Sequence, residues 1–142
     1  IRDWGHAKEY VLAMYLMMQK TTPEDYVISS GTSVTVRTFI TYCFQSIGVV
    51  IDFSGKGKEE IGTVIKVNKN SLIKNKKIKH YPKIGDILVR VDSNLYRPLE
   101  VEDLQGNSLK AKNDLGWEAK TSIEELAKEM VWSDLKNNFT LD

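Results

Sequence analysis

Residues 33–53 have the sequence SVTVRTFITYCFQSIGVVIDF, and they decide the fold class because a helix pattern gives way to a strand pattern at one glycine. Ser33 is the predicted N-cap of the helix, and Gly48 is its predicted end. Residues 49–53 are mostly β-branched or aromatic, which favours a strand. In the helix, apolar residues recur at spacings of three and four, which predicts a buried face. Its members are Val36, Phe39, Ile40, Cys43, Phe44 and Ile47.

Further helices are predicted on both sides of this unit. Residues 6–20 contain an apolar stripe of Ala7, Val11, Met14 and Met18, which we expect in the core because Met fills irregular gaps. Two more helices are predicted at 108–115 and 122–136, and the second begins with a capping-box pattern. Its predicted buried stripe is Ile123, Leu126, Ala127, Met130, Val131 and Leu135.

The remaining strand candidates are few and short. Residues 26–28 form one, and residues 61–67 and 86–92 form two more, paired as a β-hairpin through a lysine-rich connection. They are too few and too weakly hydrophobic for a parallel sheet buried on both faces. The sequence therefore predicts a single α+β domain over residues 1–142, with helices packed against short strands and a β-hairpin, and without a Rossmann lobe.

Composition limits the classes of protein to which the chain can belong. Its 142 residues, 42% hydrophobic and 27% charged, are typical of one folded domain. The single cysteine, Cys43, excludes an intrachain disulfide and fits a reducing cytoplasm, and its apolar helix face indicates a structural thiol. No apolar run approaches the ~20 residues of a membrane-spanning helix. The first residues lack a starting methionine and a signal peptide, so we expect that the chain begins within a longer protein.

The net charge of +1 hides a basic segment. Residues 56–83 contain nine lysines against two acids, Glu59 and Glu60. Such a segment attracts nucleic acid or acidic membrane surfaces. However, specific nucleic-acid contacts favour arginine and interleaved aromatic rings, which are scarce here. We therefore interpret the segment as a solvated hairpin, and keep a polyanion-binding module as an alternative.

The chain lacks the residue patterns of a catalytic, metal or cofactor site. His6 and His80 are far apart and have no cysteine or acidic cluster at ligand spacing. Gly55-Lys56-Gly57 opens like a dinucleotide fingerprint, but Glu60 stands where the third glycine belongs. No Tyr-x-x-x-Lys pair occurs either. We expect the isolated chain to bind no dinucleotide and to be catalytically inert.

Two polar clusters are more informative about function. Residues 2–10, RDWGHAKEY, lead into an apolar helix, and residues 96–102, YRPLEVE, form a loop that proline stiffens. Arg97 suits bidentate contact with a diphosphate, and Glu100 suits the hydrogen-bond donors of a ribose or a purine. Taken alone, Arg97 and Glu100 also fit a surface ion pair, and this alternative stays open.

The two clusters resemble the GDP-mannose 4,6-dehydratase family. The first, RDWGHAK at 2–8, is highly specific for that family, whereas LGW at 115–117 is shared with many extended short-chain dehydrogenases. The connection through residues 82–86 resembles the bacterial branch. The other matching segments keep their order along the chain: PEDYVI at 23–28, YRPLEVE at 96–102, GN at 106–107, KAK at 110–112 and EMV at 129–131.

This resemblance implies the carboxy-terminal, substrate-binding part of a two-lobe enzyme. In the family an amino-terminal Rossmann lobe holds NADP and the catalytic Ser/Thr, Glu, Tyr and Lys. Hydride leaves the sugar C4, water is eliminated across C5 and C6, and the hydride returns to C6. The product is GDP-4-keto-6-deoxymannose, a precursor of GDP-fucose and related deoxysugars.

Three residues are implied to contact GDP-mannose. Arg2 and Arg97 would approach the diphosphate, and Glu100 the nucleoside sugar. The family assembles as dimers or tetramers, so we expect a cytoplasmic homo-oligomer without membrane or nucleic-acid partners. A fragment of another nucleotide-sugar epimerase or dehydratase is the enzyme alternative.

Overall fold

The structure, a computed structural model, describes residues 1–68, 81–96 and 103–139. Within these ranges the chain is an α+β domain of four helices and two small antiparallel sheets. The helices are α1 (Ala7–Met18), α2 (Val36–Ser46), α3 (Leu109–Leu115) and α4 (Ile123–Phe139). The strands are β1 (Arg2–Asp3), β2 (Ser33–Val34), β3 (Val49–Ser54), β4 (Ile61–Val67) and β5 (Ile87–Arg90). The predicted α+β class is confirmed.

The larger sheet has the order β3-β4-β5, with every pair antiparallel. Gly48 has a φ of 80°, which glycine tolerates best, so the chain can leave α2 and enter β3 at once. The sheet core is Val49, Ile51 and Val64, and Ile40 and Phe44 of α2 pack against it. The helix-to-strand unit, the predicted hairpin and most of the α2 face are therefore confirmed. Cys43 is half-buried, and burial raises the pKa of its thiol, which fits a structural role.

A second core joins α2 to α4. Phe39 packs with Ile123, Leu126 and Ala127, and the Trp4 ring stacks on Phe39 with centroids 4.1 Å apart. The predicted capping box begins α4. Glu125 N donates to Ser122 Oγ, and Ser122 N donates back to Glu125 Oε2, so two helix-end donors are satisfied.

The third core shows that the predicted stripe of α1 is wrong. Ala13 is buried with Ala111 and Trp117, whereas Val11, Met14 and Met18 are 62%, 58% and 74% exposed. The reason is that every residue from position 10 to position 18 is apolar or aromatic. Periodicity cannot choose a buried side when all sides are apolar.

Two smaller predictions are also wrong. Ser33 lies on β2, and the N-cap of α2 is Thr35, whose Oγ1 accepts from Thr38 N at 3.0 Å. Residues 26–28 form no strand, and Tyr26 and Ile28 instead pack on the core around Trp117. Within the described ranges, no helix is long and apolar enough to cross a bilayer.

Candidate functional site

A two-stranded ribbon fixes the position of Arg2. β1 pairs antiparallel with β2, with Arg2 opposite Val34, and Arg2 also makes a parallel bridge to Leu104. The Arg2 guanidinium donates from Nη1 to the Ile1 carbonyl at 2.8 Å. The ribbon therefore holds the Arg2 backbone between two segments that are distant in sequence.

The carboxylate of Asp3 locks the loop that leads to β2. Its Oδ1 accepts from Ser30 N at 2.8 Å and from Ser30 Oγ at 2.7 Å, and its Oδ2 accepts from Gly31 N at 3.0 Å. Gln105 Nε2 donates to the Gly31 carbonyl of the same loop at 3.0 Å. Asp3 and Gln105 therefore both bind the loop at residues 30 and 31.

Gly5 and Tyr10 pack against each other at the start of α1. A Cβ on Gly5 would lie 2.4 Å from the Tyr10 ring, so a larger residue would displace that ring. Burial, with Asp3 and Glu9 nearby, raises the pKa of the Tyr10 phenol. Tyr10 therefore stays protonated near neutral pH and is a poor candidate for a general base.

Glu9 joins α1 to the segment that precedes α4. Its Oε1 accepts from Lys120 N at 2.8 Å, Thr121 N at 3.0 Å and Thr121 Oγ1 at 3.1 Å. Its main-chain carbonyl accepts from the Trp117 indole N–H at 2.7 Å. Its Oε2 is buried and has no hydrogen-bond partner. Glu9 is thus an acceptor that organises four donors from one distant segment.

His6 makes a second link to α4. Its Nδ1 accepts from Lys8 N at 3.1 Å and caps α1, so the imidazole proton lies on Nε2. That nitrogen is 3.2 Å from Glu129 Oε2, while Lys8 Nζ lies 3.3 Å from Glu129 Oε1. The hydrogen bond from His6, followed by that from Lys8, lowers the pKa of the Glu129 carboxyl. The polar start of the chain is therefore held by several links to distant parts of the fold.

A surface depression of about 220 Å³ adjoins the Asp3-clamped loop. Ser30, Asn107, Lys112 and Trp117 contribute to its lining. Lys112 Nζ donates to Glu118 Oε1 at 2.6 Å, and this bond lowers the pKa of the Glu118 carboxyl. Since this cation is already paired, the depression does not offer a free positive charge to an anionic ligand.

The sequence profile of the family described as "GDP-mannose 4,6 dehydratase" matches residues 1–130, which include every one of these contacts. The chain belongs to the GDP-mannose 4,6-dehydratase family. The predicted resemblance is therefore confirmed.

Relatives of this family from bacteria and animals are similar to the chain. A GDP-mannose 4,6-dehydratase of Yersinia enterocolitica is 43% identical over 136 residues, 96% of this chain and 35% of that protein. GDP-mannose 4,6 dehydratase 2 of Caenorhabditis elegans is 43% identical over 95% of the chain and 31% of its own length. The human GDP-mannose 4,6 dehydratase is 40% identical over 95% of the chain and 32% of its own length. The chain thus spans about a third of the length of the relatives that it matches. Because bacterial and animal identities are alike, the bacterial-branch assignment stays a prediction.

The predicted substrate contacts of the GDP-mannose 4,6-dehydratase family fall partly within the described residues. Arg2 lies on β1, beside Leu104. Arg97 and Glu100, like His80 and most of the lysine-rich connection, lie outside them. Sequence reasoning missed Asp3 and Glu9 as organising residues. The available signal was two acidic residues, one within the RDWGHAK motif and one directly after it, but their partners are 27 to 112 positions away.

The glycine-containing segment after β3 does not fit the dinucleotide that GDP-mannose 4,6-dehydratases are expected to use. Gly55 and Gly57 connect β3 to β4 through a short 3₁₀ turn, Gly57–Glu59. A dinucleotide loop instead leads from a strand into a helix whose N-terminus receives the pyrophosphate. The interpretation of this segment as a loop is confirmed. Among the described residues there is also no group of three or more potential metal ligands.

Proposed function

We propose that this chain is the GDP-sugar-binding part of a GDP-mannose 4,6-dehydratase. The complete enzyme would convert GDP-mannose to GDP-4-keto-6-deoxymannose, on the route to GDP-fucose and related deoxysugars. The observation that carries this proposal is the family match over residues 1–130, together with relatives of that name at 40–43% identity. A fragment of an epimerase acting on another nucleotide sugar has no comparable support among these relatives.

A division of labour follows for the complete enzyme. Since the segment after β3 forms a strand-to-strand turn and not a dinucleotide loop, we propose that NADP and the catalytic groups lie in a Rossmann lobe outside these 142 residues. Their own contribution is then binding and orientation. Contacts with the nucleotide, remote from the reacting sugar, supply binding energy that holds the sugar in a reactive position. We also propose a cytoplasmic homo-oligomer for the complete enzyme.

Arg2, Arg97 and Glu100 are the residues that we propose as contacts to GDP-mannose. In support, the Arg2 backbone is bridged to Leu104, which follows Glu100 by four positions in the sequence. Arg2 is therefore close to a described residue that follows Arg97 and Glu100 closely in the sequence. Two arginines and one carboxylate suit a diphosphate and a ribose, respectively.

Steady-state kinetics of the complete enzyme tests this proposal through Arg97→Ala. A charge-assisted hydrogen bond contributes roughly 1.5–3 kcal/mol, so the substrate KM should rise about ten- to a hundredfold. The value of kcat should stay nearly the same, because the nucleotide contacts persist from the ground state to the transition state. Glu100→Gln should raise KM less, since its amide oxygen still accepts a hydrogen bond.

Arg90→Ala is the matched control, because Arg90 is an exposed arginine on β5. Its KM should remain that of the unmodified enzyme. If Arg97 and Glu100 only pair with each other, each change should alter stability by under about 1 kcal/mol and leave KM alone. An unchanged KM in folded Arg97→Ala would therefore exclude Arg97 as a substrate contact.

A further inference from the structure

The backbone of Arg2 lies between two segments that it pairs with only briefly. On one side Arg2 is opposite Val34, in a ribbon that extends over two residues of each strand. On the other side it makes a single parallel bridge to Leu104. An isolated two-stranded ribbon is at best marginally stable in water. The position of Arg2 therefore depends on further contacts that hold these segments together.

Gln105 supplies such a contact from the position next to the bridge. Its Nε2 donates to the Gly31 carbonyl at 3.0 Å, and the Gly31 N–H donates to Asp3 Oδ2 at 3.0 Å. Gly31 has a φ of 73°, in the left-handed region that favours glycine. A closed circuit of contacts results, which starts at the bridge between Arg2 and Leu104 and passes through Gln105 to Gly31. It returns from Gly31 through Asp3, the sequence neighbour of Arg2.

Gly106 brings the backbone beside Gln105 close to the same loop. A Cβ on Gly106 would lie 2.5 Å from the Ser29 Cβ and 2.6 Å from Ser29 Oγ, so a larger residue would force the two segments apart. Ser29 is itself buried. Packing thus sets how near the segment comes to the loop, and the hydrogen bond from Gln105, which is directional, sets how it is aligned.

Alignment matters for Arg2 because we propose it as a contact to a diphosphate. A bidentate contact between a guanidinium and a phosphate requires that the planar fork is correctly oriented, so its strength depends on where the backbone places the side chain. We propose that Gln105 is a positioning residue, which holds Arg2 in place for the diphosphate of GDP-mannose through its hydrogen bond to Gly31. The inference rests on the proposed function, since it takes Arg2 as a substrate contact.

Gln105→Met in the complete enzyme tests this role. Methionine is about as long as glutamine but has no N–H to donate. The KM for GDP-mannose and the Kd of GDP should both rise about two- to tenfold, the range of one neutral hydrogen bond. The value of kcat should stay nearly the same, because the diphosphate contact persists into the transition state. Since Gln105 is exposed, Tm should change by no more than about 2 °C.

Gln45→Met is the matched control, because Gln45 is an exposed glutamine on α2. Its KM and its Kd for GDP should equal those of the unmodified enzyme. Values for Gln105→Met that match this control would overturn the inference. A fall in Tm of more than about 5 °C together with a lower kcat would also overturn it, since Gln105 would then have a general structural role.

Arg2→Ala separates positioning from a direct contact. Alone it should raise KM about ten- to a hundredfold, and Gln105→Met should add nothing to it, because the group that Gln105 positions is gone. Equal effects of Gln105→Met with and without Arg2 would make Gln105 an independent contact and overturn the inference. A raised KM in Arg2→Ala with none in Gln105→Met would overturn the inference alone. An unchanged KM in folded Arg2→Ala would instead remove Arg2 from the proposed substrate contacts, and the inference would fall with it.

Discussion

Replacing Glu9 by alanine should destabilise the 142-residue chain more than the same replacement at any exposed acidic residue. The change removes the acceptor of Lys120 N, Thr121 N and Thr121 Oγ1, and leaves those donors at the junction of α1 and α4. Lys120 is exposed, so its N–H regains a partner in water. Thr121 is half-buried, and its two donors regain water less completely. The loss therefore comes mainly from Thr121.

Each hydrogen bond to a charged group contributes about 1.5–3 kcal/mol, and such contributions do not add fully. We expect Glu9→Ala to lower the free energy of unfolding by about 2–4 kcal/mol, a large part of the roughly 5–15 kcal/mol of a typical domain. For a chain of this size that corresponds to a fall in Tm of roughly 6–12 °C. Glu9→Gln keeps one oxygen acceptor and should therefore lower the free energy of unfolding by less than Glu9→Ala does.

Urea unfolding followed by tryptophan fluorescence measures the change, because Trp117 donates to the Glu9 carbonyl and reports on the same junction. Glu59→Ala is the control, since Glu59 is exposed on the 3₁₀ turn, and it should change stability by less than about 0.5 kcal/mol. A Glu9→Ala midpoint equal to that of Glu59→Ala would refute the role of Glu9 as an organising acceptor.

Three further predictions concern the cofactor, pH and the lysine-rich segment. Equilibrium dialysis of the 142-residue chain with NADP should show no binding, and no 4-keto sugar should form from GDP-mannose; either signal would contradict our placement of the dinucleotide site. Glu129→Gln should lower Tm at pH 7, and the difference should shrink as the pH falls below 4.5 and the carboxyl takes up its proton. The folded-state pKa of Glu129 is lowered from its ordinary value of 4.5, so its stabilising effect is fully present above 4.5 and is lost as the pH falls through the lowered folded-state pKa; a difference that does not shrink on acidification would exclude this carboxylate as the cause. Neutralising Lys74, Lys76, Lys77 and Lys79 together should leave the KM of the complete enzyme nearly unchanged, whereas salt-dependent binding of duplex DNA by the unmodified chain alone would favour the polyanion alternative.

Local sequence patterns predicted the elements whose partners are near in the chain. Periodicity predicted the buried face of α2, and one glycine, Gly48, predicted its end. Two short strand-forming runs predicted the hairpin of β4 and β5. The structure contains all three features. The capping box of Ser122 and Glu125 spans three positions and was equally accessible. Ser33 and Thr35 both offer a hydroxyl before α2, so the sequence alone could not choose between them as the cap. Ser33 is paired with Asp3 in the ribbon of β1 and β2, and Thr35 therefore caps the helix.

The features that sequence patterns missed depend on long-range contacts. No local pattern shows that Asp3 binds residues 30 and 31, or that Glu9 binds residues 120 and 121. The orientation of α1 was wrong because its composition offers two apolar sides. For the candidate site, the choice of Arg2, Arg97 and Glu100 came from family resemblance, and the structure adds the closeness of Arg2 to Leu104.

The hydrogen bonds of Glu9 determine when α1 can become fixed during synthesis of the chain. The residues that donate to Glu9, at positions 120 and 121, leave the ribosome more than a hundred residues after Glu9 itself, and Glu129, the partner of Lys8, leaves 121 residues after that lysine. At about 5–20 residues per second, the contacts that fix α1 form roughly 6–24 s after the helix itself is synthesised. During that interval an uncharged stretch from Tyr10 to Met18 is without its final neighbours. Nascent chains that carry this motif should therefore be clients of ribosome-associated chaperones, released when the segment around Trp117 emerges.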